Sequence, residues 1–428
     1  MEEIMSDKVI HTSNTMTLIK NNIRNYSMFI MLALIMVIFG FLTNWINWNP
    51  RNFTNIFFQY SYVLILATGM VQVIIILGID LSVGSVCAFV GALSAMLYNT
   101  GIGLPITLVV SIIMGIGIGA FQGVWVAYAK IPAFIVTLAG MLLFRGLTYI
   151  VTQVNPVSLK DENYAHLATG TLDETFKLGS FKISLDIVPF KIGPLSFDFK
   201  PIHIGTIGPY FSTALIFAVV VLIIFFIAEF YSRKRKIDNG FEVSPIPLFI
   251  GKLVIISILA LGLADRFARY RGLPIVAIVL VIVVFAFHFI LNNTVLGRYI
   301  YAVGGNARSA KLSGINSELV SFIVFCIMGA LAGLAAVVST GYMNSALPQA
   351  GNLFEMDAIA ACYIGGVSAS GGIGTVIGVV VGGLVMSAIN NGMLLMNMGV
   401  YYQYVVKALV VLLAVFYDVY TRRKAGLG

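Results

Sequence analysis

The residue types that usually carry out chemistry are few in this chain and lie far apart. The three cysteines, Cys87, Cys326 and Cys362, sit singly inside apolar runs rather than at the paired spacings of metal sites. The Gly251–Lys252 pair has no glycine five residues before it, so the phosphate-binding loop of ATPases is absent. Signatures of zinc proteases, serine hydrolases and kinases are missing too. The sequence therefore predicts no catalytic residue, no metal and no cofactor, and an integral-membrane enzyme is the least favoured alternative.

The composition excludes a soluble fold. The 428 residues are 59% hydrophobic and only 10% charged, whereas soluble domains carry about 25% charged residues. So few charges cannot cover a surface that faces water, and the same figures exclude disordered and collagen-like classes. At about 20 apolar residues per crossing, the chain is predicted to be all-α: a polytopic integral membrane protein of about ten to twelve transmembrane helices.

The apolar runs locate the predicted helices. The runs at 83–98 and 357–368 are short or interrupted by glycine, which predicts broken or re-entrant helices. Small residues four apart predict close packing between helices, and they include Gly115, Gly119 and Gly123, and Gly378 with Gly382. The full set of runs covers residues 27–44, 55–79, 83–98, 104–128, 132–151, 210–230, 246–264, 273–291, 319–340, 357–368, 373–396 and 401–419.

Clusters of lysine and arginine beside the apolar runs predict which side of the membrane each loop faces. This pattern accounts for the net charge of +8, so no nucleic-acid partner is expected. With the N terminus inside the cell, alternation places these clusters in the cytoplasm. The resulting division is a cytoplasmic N-terminal segment (1–26), a first transmembrane bundle (27–151), an extracytoplasmic insert (152–209), a second transmembrane bundle (210–420) that includes a cytoplasmic loop (292–318), and a cytoplasmic tail (421–428).

The insert at 152–209 is the main hydrophilic segment. Apolar and polar residues alternate in it, which predicts short strands or a hairpin. It is too short for a catalytic domain of ordinary size. His166 and His203 lie in it and could bind a metal, but two distant histidines without cysteine partners are more simply exposed loop residues.

A few charged residues inside the apolar runs are candidates for a solute pathway. They are too sparse for a proton relay of the usual kind, although they leave a secondary active transporter for a small polar solute as the alternative function. The main ones are Asp80, Arg145, Asp357 and Lys407. Each lies close to a predicted helix end, where capping or snorkelling would also explain it.

Two short stretches echo each other. The segment LGIDLSVGS (77–85) weakly resembles GGVSASGGI (365–373), with small residues matched at three positions. Both lie where an apolar run breaks. Transporters are often built from repeats whose broken helices line the pathway, although chance similarity in glycine-rich sequence is an alternative.

The loop from 294 to 316, TVLGRYIYAVGGNARSAKLSGIN, is polar, basic and flanked by long apolar runs. The glycines at Gly304 and Gly305 together with Asn306 predict a turn in which Asn306 is the N-cap of a following helix. Residues 307–312 would form that short helix, closed by Gly314. A short cytoplasmic helix held across a membrane protein is suited to docking into a partner, and an ordinary capped connector is the alternative.

Four stretches of the chain carry a resemblance to a known family. They are LGRYIYAVGGNARSAKLSGIN (296–316), IDLSVGS (79–85), MDAIAACYIGGVSASGGIGTVIG (356–378) and YYQYVVKALVVLLAV (401–415). They resemble the permease subunits of bacterial ATP-binding-cassette (ABC) importers of monosaccharides. Within that family, VWVAYAKIPAFIVTLAGMLLFRG (124–146) and the extra spans near 246–291 are most similar to the xylose branch, of which ribose and galactoside permeases are relatives.

The resemblance implies a division of labour among subunits. It implies a cytoplasmic ATP-binding subunit that holds the ATPase activity, an extracytoplasmic sugar-binding protein, and a second permease copy in a homodimer within the lipid of the bacterial inner membrane. The loop residues that would meet the ATPase are Gly297, Arg298, Gly304, Gly305, Asn306, Ala310, Ser313 and Gly314.

A sugar is neutral and rich in hydroxyls, so its pathway needs hydroxyl, amide and aromatic groups. Interhelical hydrogen bonding explains each candidate at least as well as substrate contact. The candidates are Asp80, Ser82, Asn344, Asp357, Ser368, Ser370, Asn390, Asn391 and Gln403. Four arginines on the predicted outer side would either steer the binding protein or contact anionic lipid, and they are Arg51, Arg266, Arg269 and Arg271.

Overall fold

The computed structural model describes residues 15–175, 181–187, 202–210, 212–240, 243 and 245–424. The predicted terminal segments at 1–14 and 425–428, and parts of the insert at 176–180 and 188–201, lie outside these residues. The chain divides into two compact units: a larger unit of residues 24–170 and 274–428, and a smaller unit of residues 1–23 and 171–273.

Helices dominate both units, as the composition predicts, and a helix lies within every predicted apolar run. In chain order the helices are α1 (Thr15–Leu42), α2 (Pro50–Ile75), α3 (Val83–Asn99), α4 (Leu104–Ala127), α5 (Ala133–Thr152), α6 (Glu162–Thr169), α7 (Leu172–Thr175), α8 (Ser212–Asp238), α9 (Ile246–Ala268), α10 (Ile275–Asn293), α11 (Val295–Leu312), α12 (Ser317–Met343), α13 (Phe354–Ile364), α14 (Val376–Leu395) and α15 (Val400–Lys424). The strands are β1 (Val157–Ser158), β2 (Phe181–Ile187), β3 (Ile202–Tyr210) and β4 (Ser345–Ala346).

The lengths of these helices fit a membrane. Within the described residues, seven helices are long and apolar enough to span a bilayer, and three shorter apolar helices accompany them. This agrees with the predicted polytopic fold of about ten to twelve crossings. The short apolar runs at 83–98 and 357–368 form α3 and α13, each of which follows or precedes a break in the helical chain.

Local sequence sets where several helices begin. The Asn49 side chain accepts a hydrogen bond from the backbone N–H of Arg51, and Pro50 occupies the first helical position of α2. The Asn316 side chain caps α12 in the same way, and Thr375 caps α14. These caps satisfy backbone donors that the first turn of a helix leaves unpaired.

The core of the larger unit is built around α2. From Ser61 to Ile75 every residue of α2 is buried, and α12 and α14 pack against it. In contrast, α4 and α5 expose apolar side chains such as Ile113 and Leu142 along most of their length. Since lipid tails are as apolar as these side chains, an exposed apolar face is the normal surface of a membrane helix.

The helices α4 and α12 cross with their backbones in direct contact. A Cβ atom at Gly115 would overlap the carbonyl oxygen of Gly329, and one at Gly119 would overlap that of Phe325. The predicted pair Gly378 and Gly382 plays the same part where α13 meets α14. These backbone contacts confirm the prediction that the small residues serve close packing. Such packing matters inside a membrane, where burial alone gives apolar helices little attraction for one another.

Two short strands tie the larger unit together beyond the end of α3. Residues Val157 and Ser158 of β1 pair antiparallel with β4. The Tyr98 hydroxyl donates to Asp161 over 2.6 Å, and this hydrogen bond holds the pKa of that carboxyl below its ordinary value. The Asn99 amide donates to the Ser158 carbonyl over 2.8 Å. The segment after α5 is therefore fixed against α3 by side chains as well as by strand pairing.

The smaller unit contains the hairpin that the alternating apolar and polar residues of the insert predict. Strands β2 and β3 pair antiparallel with two register irregularities, and α8 packs on α9. Asp173 accepts hydrogen bonds from the Leu273 N–H over 3.2 Å and from the Thr213 hydroxyl. These bonds hold the turn in which Gly272 has a positive φ of 85°, a conformation that favours glycine. His203 lies on β3 of this unit, whereas His166 lies in α6 of the larger one.

Replacing Gly115 with alanine should destabilise the protein by about 1–3 kcal/mol, as for other overpacked cores, since the new methyl would overlap the Gly329 backbone. Gly117, two residues later, lies on the exposed face with no described atom within 4 Å of a Cβ. The matched control Gly117→Ala should leave the unfolding midpoint unchanged or slightly raised. Thermal unfolding in a single detergent measures both, and equal midpoints for the two variants would contradict the helix crossing.

Candidate functional site

The segment singled out for docking forms α11, which bends at one residue. Asn306 has extended backbone angles of φ −160° and ψ 98° inside this helix, and its side chain accepts a hydrogen bond from the Ser309 N–H over 2.9 Å. The prediction that Asn306 caps a short helix at 307–312 is confirmed. Gly314 follows it with a positive φ of 83°, as expected for a residue that ends a helix.

The predicted turn at Gly304 and Gly305 is wrong, because both residues continue the first part of α11. The physical reason for a glycine at 304 is a close approach. A Cβ atom there would overlap the carbonyl oxygen of Ile75 at the end of α2. Gly305 differs from its neighbour, since it is exposed and a Cβ on it would meet no described atom within 4 Å.

Three segments of backbone meet at Gly304, and we call this contact the Gly304 junction. It joins α11 to the end of α2 at Ile75 and to the break between α13 and α14 at Gly371 and Gly372. The Gly372 N–H donates to the Ile75 carbonyl over 2.9 Å. Gly371 and Gly372 have φ values of 75° and 70°, which ordinary side chains rarely adopt. The junction leaves no room for a side chain at these positions.

A tyrosine side chain strengthens the same contact. The Tyr301 hydroxyl donates to the Gly374 carbonyl over 2.7 Å. At the other end of α11, the Thr294 side chain accepts a hydrogen bond from Gly297, which packs on the last turn of α10. The helix is therefore attached to the membrane helices at both ends of its first part.

The predicted docking residues divide between the two faces of α11 and the turn that follows. Gly297, Gly304 and Ala310 are buried against the rest of the larger unit. The exposed residues are Arg298, Gly305, Asn306, Ser313 and Gly314.

The first break, at 76–82 between α2 and α3, holds a closed polar cluster. Asp80 accepts hydrogen bonds from the Ser82 N–H over 2.8 Å and from the Ser82 hydroxyl over 2.6 Å. The Ser82 hydroxyl also accepts a hydrogen bond from the side-chain amide of Gln122 of α4 over 2.8 Å. The cavity beside these residues measures about 10 Å³, which is room for about one water molecule. The cluster is too tight to hold a sugar as it stands.

The second break, at 365–375 between α13 and α14, is also held by serines. The hydroxyls of Ser368 and Ser370 lie 2.8 Å apart, and the Ser370 N–H donates to the Ser368 hydroxyl over 3.1 Å. The echo between 77–85 and 365–373 does fall on two helix breaks. Gly84 and Gly372, which occupy matching positions in the two stretches, are not equivalent. Gly84 lies in the first turn of α3, whereas Gly372 lies in the break.

An ion pair joins α13 to α15 inside the larger unit. The Lys407 Nζ atom lies 2.9 Å from Asp357 Oδ2, and both side chains are largely buried. Lys407 lies two turns inside α15, and Arg145 two turns inside α5, where it donates to the Ala350 carbonyl over 2.6 Å. Explaining these two cations as helix-end residues is therefore wrong, since each has a specific partner within the fold.

The remaining pathway candidates have varied surroundings. Asn390 lies beside the Asp357 carboxylate, whereas Asn391 and Asn52 exchange two hydrogen bonds of 2.8 and 3.0 Å. Asn344 ends α12 in a left-handed conformation and is exposed. Gln403 donates to the Met398 carbonyl over 3.0 Å. The Gln403 side chain therefore serves local structure.

The outer arginines fall into two groups. Arg266, Arg269 and Arg271 lie together in the last turn of α9 and the turn after it, in the smaller unit. Arg269 pairs with Asp265 over 2.8 Å. Arg51 is exposed in the first turn of α2, in the larger unit.

Sequence reasoning missed Gln122 and Tyr301. Gln122 is an amide in an otherwise apolar stretch, and that contrast was a usable signal for a buried polar contact. Tyr301 gave no such signal, because an aromatic residue in a basic loop fits many surroundings. Its role depends on a backbone carbonyl 73 residues further along the chain.

Comparison with known proteins agrees with this geometry. The family model described as "Branched-chain amino acid transport system / permease component" matches residues 52–229 and 206–415. The xylose transport system permease protein XylH of Escherichia coli (strain K12) is 35% identical over 405 residues, which cover 94% of each chain. XylH of Haemophilus influenzae is 35% identical over 94% of this chain and 98% of that protein.

A second group of relatives is more distant. The ribose import permease protein RbsC of Escherichia coli (strain K12) is 31% identical over 392 residues, which cover 92% of each chain. No solved structure matches the chain. The family match covers most of the sequence, and the relatives align with it over nearly their full length. The chain belongs to the family of transport-system permease components that includes these xylose and ribose permeases.

Proposed function

We propose that this chain is the membrane-spanning subunit of an ATP-driven importer that moves a monosaccharide into the cell, with xylose as the favoured substrate. The observation that carries this proposal is the similarity to the xylose permease of Escherichia coli over 94% of both chains. The similarity to the ribose permease supports the wider monosaccharide class. A separate ATP-binding subunit would supply the energy, and a separate extracytoplasmic binding protein would deliver the sugar.

The proposed sidedness follows from the basic residues. Residues 292–318 and the C-terminal tail would face the cytoplasm, and the 152–209 insert would lie outside. The N terminus would also be cytoplasmic. The protein would work as a homodimer in the bacterial inner membrane, where two copies form one pathway. The 27–151 and 210–420 segments would be its two transmembrane bundles.

The Gly304 junction supports a mechanism for coupling. The exposed side of α11 would fit into a groove of the ATP-binding subunit, which changes shape when it binds and hydrolyses ATP. Because Gly304 touches the last residue of α2, just before the first break, and the backbone of the second break, movement of α11 would displace both breaks together. The breaks carry the polar side chains of Asp80, Ser82, Ser368 and Ser370, so this movement would open and close the pathway.

A secondary active transporter is less well supported. Ion-coupled transport needs carboxylates that exchange the coupling ion, and these are expensive to hold inside a membrane. Asp80 accepts two hydrogen bonds from Ser82, and Asp357 is neutralised by Lys407. Neither carboxylate is arranged for easy exchange of an ion.

The arginines at the end of α9 are proposed to face the binding protein. Arg266, Arg269 and Arg271 form one basic cluster at a helix end, and such a cluster would steer an acidic surface toward the membrane. Contact with anionic lipid headgroups is the alternative role. Arg51, in the larger unit, would also lie on the extracytoplasmic side in the proposed topology.

Changing Gly305 to tryptophan should abolish association with the ATP-binding subunit without unfolding the permease. The side chain would project from an exposed position into open space, where a docked partner would sit. Gly117→Trp places the same bulk on the exposed face of α4 and is the control. Copurification of the two subunits measures the effect, and an intact complex of Gly305→Trp would show that α11 does not dock there. Gly314 is a poorer site for this test, because its positive φ would strain any side chain.

Changing Gly304 to alanine should weaken coupling rather than docking. The added methyl would overlap the Ile75 carbonyl, and an overlap that costs about 1–3 kcal/mol corresponds to about a 5- to 150-fold loss. We expect that loss in the sugar transported per ATP hydrolysed by reconstituted complex. Gly305→Ala, which meets no described atom within 4 Å, is the control. Equal coupling in the two variants would remove the Gly304 junction from the mechanism.

A further inference from the structure

Two adjacent asparagines in α14 differ in how their side chains are satisfied. Asn391 and Asn52 exchange two hydrogen bonds, so both amides have partners. Asn390 is 2% exposed, and neither its amide oxygen nor its amide nitrogen has a hydrogen-bond partner among the described residues. A buried amide without partners is costly, and the cost is larger where water is excluded. The two buried amide atoms of Asn390, which have no partner, therefore point to a ligand.

A second group beside Asn390 is also incompletely satisfied. Asp357 is 6% exposed and lies next to the Asn390 amide. Its Oδ2 atom is bound by Lys407 at 2.9 Å, whereas its Oδ1 atom has no partner within the described part of the chain. The ion pair thus holds the carboxylate in place while it leaves one acceptor atom unused.

A third polar side chain completes the set. The Gln59 amide oxygen is buried and unpartnered within the residues that the structure describes, and this side chain lies against Tyr342. Tyr60, the next residue of α2, is close enough to interact electrostatically with both Asp357 and Tyr342. Unused donors or acceptors therefore lie on Gln59 of α2, Asp357 of α13 and Asn390 of α14, and Tyr342 of α12 and Lys407 of α15 lie beside members of this set.

The chemistry of these atoms fits a sugar. Each sugar hydroxyl both donates and accepts a hydrogen bond, so it needs acceptors such as carboxylate and amide oxygens together with a donor such as an amide N–H. Asp357 Oδ1 and Gln59 Oε1 supply acceptors, and the Asn390 amide supplies one of each. The closed cluster at Asp80 and Ser82 offers less, since those side chains already satisfy one another.

We propose that Asn390, Asp357 and Gln59 form the site at which the permease itself contacts the hydroxyls of a monosaccharide in transit. The Lys407 ammonium holds Asp357 in place. This inference rests on the proposed function, because it requires a monosaccharide in the pathway. It separates Asn390, as a substrate contact, from Asn391, which serves helix packing.

The test uses the complete complex, with permease, ATP-binding subunit and binding protein reconstituted in vesicles. Asn390→Leu removes both unpartnered atoms, together with the amide that lies beside the Asp357 carboxylate. The matched control is the double variant Asn52→Leu with Asn391→Leu, which removes both partners of the Asn52–Asn391 pair and so orphans neither. It also removes the 3.3 Å hydrogen bond from the Asn52 amide to the Asn47 carbonyl. The measurements are xylose uptake per assembled complex and ATP hydrolysis stimulated by the xylose-loaded binding protein.

We expect Asn390→Leu to lower the xylose delivered per ATP hydrolysed by about tenfold, while stimulated hydrolysis stays within about twofold of wild type. The double control should keep its delivery per ATP. Asn390→Ser, which restores one hydroxyl, should recover part of the loss. A merely structural role for Asn390 would lower assembly or hydrolysis but not delivery per ATP.

Two results would overturn the site while the proposed function stands. In the first, Asn390→Leu transports as well as wild type, so the unpaired atoms bind only water. In the second, the double control loses delivery per ATP as severely as Asn390→Leu, so the region serves packing. If the wild-type complex hydrolyses ATP but moves neither xylose nor ribose, the proposed function and the site fall together.

Discussion

A break in a helix inside a membrane must satisfy its backbone groups with protein, because the bilayer core offers no water. The fold of the larger unit follows from how its two breaks meet this constraint. The Ile75 carbonyl, left over at the end of α2, accepts a hydrogen bond from Gly372 of the second break. The Ile79 carbonyl accepts one from the Thr137 hydroxyl of α5. The two breaks are thereby bound to each other, and the space between them is closed by Gly304 of α11.

This arrangement explains why glycine is so frequent where the structure is most constrained. At the α4–α12 crossing, at the α13–α14 crossing and at the Gly304 junction, the neighbour of the glycine is a backbone atom that cannot move aside. Close backbone contact gives strong packing where the hydrophobic effect is weak. It also makes each contact stiff, so in the proposed mechanism a displacement of α11 would be passed to the breaks rather than absorbed by flexible side chains. The polar side chains proposed to meet a solute would then move with the breaks.

Much of this fold could be predicted from sequence, because hydrophobicity and capping are local properties. The apolar runs, the Asn306 cap and the β2–β3 hairpin are examples. The Gly304–Gly305 turn was predicted wrongly because a glycine pair signals either a turn or a close approach, and only the position of Ile75 decides between them. The contact between Asp357 and Lys407 could not be predicted, since it joins residues 50 positions apart. Asn390 and Asn391 are adjacent and chemically identical, so only their neighbours distinguish an unpaired amide from a paired one.

The central claim is that α11 and the first helix break move as one body during the ATP cycle. The direct test measures distances between spin labels in the complete reconstituted complex, in a background without the native cysteines. Labels would stand at the exposed positions Arg308 and Leu77, with a reference at exposed Asn155. The account predicts that the Arg308–Leu77 distance stays constant between nucleotide-free and ATP-bound states while both distances to Asn155 change. A change in the Arg308–Leu77 distance, with Leu77 fixed relative to Asn155, would contradict it.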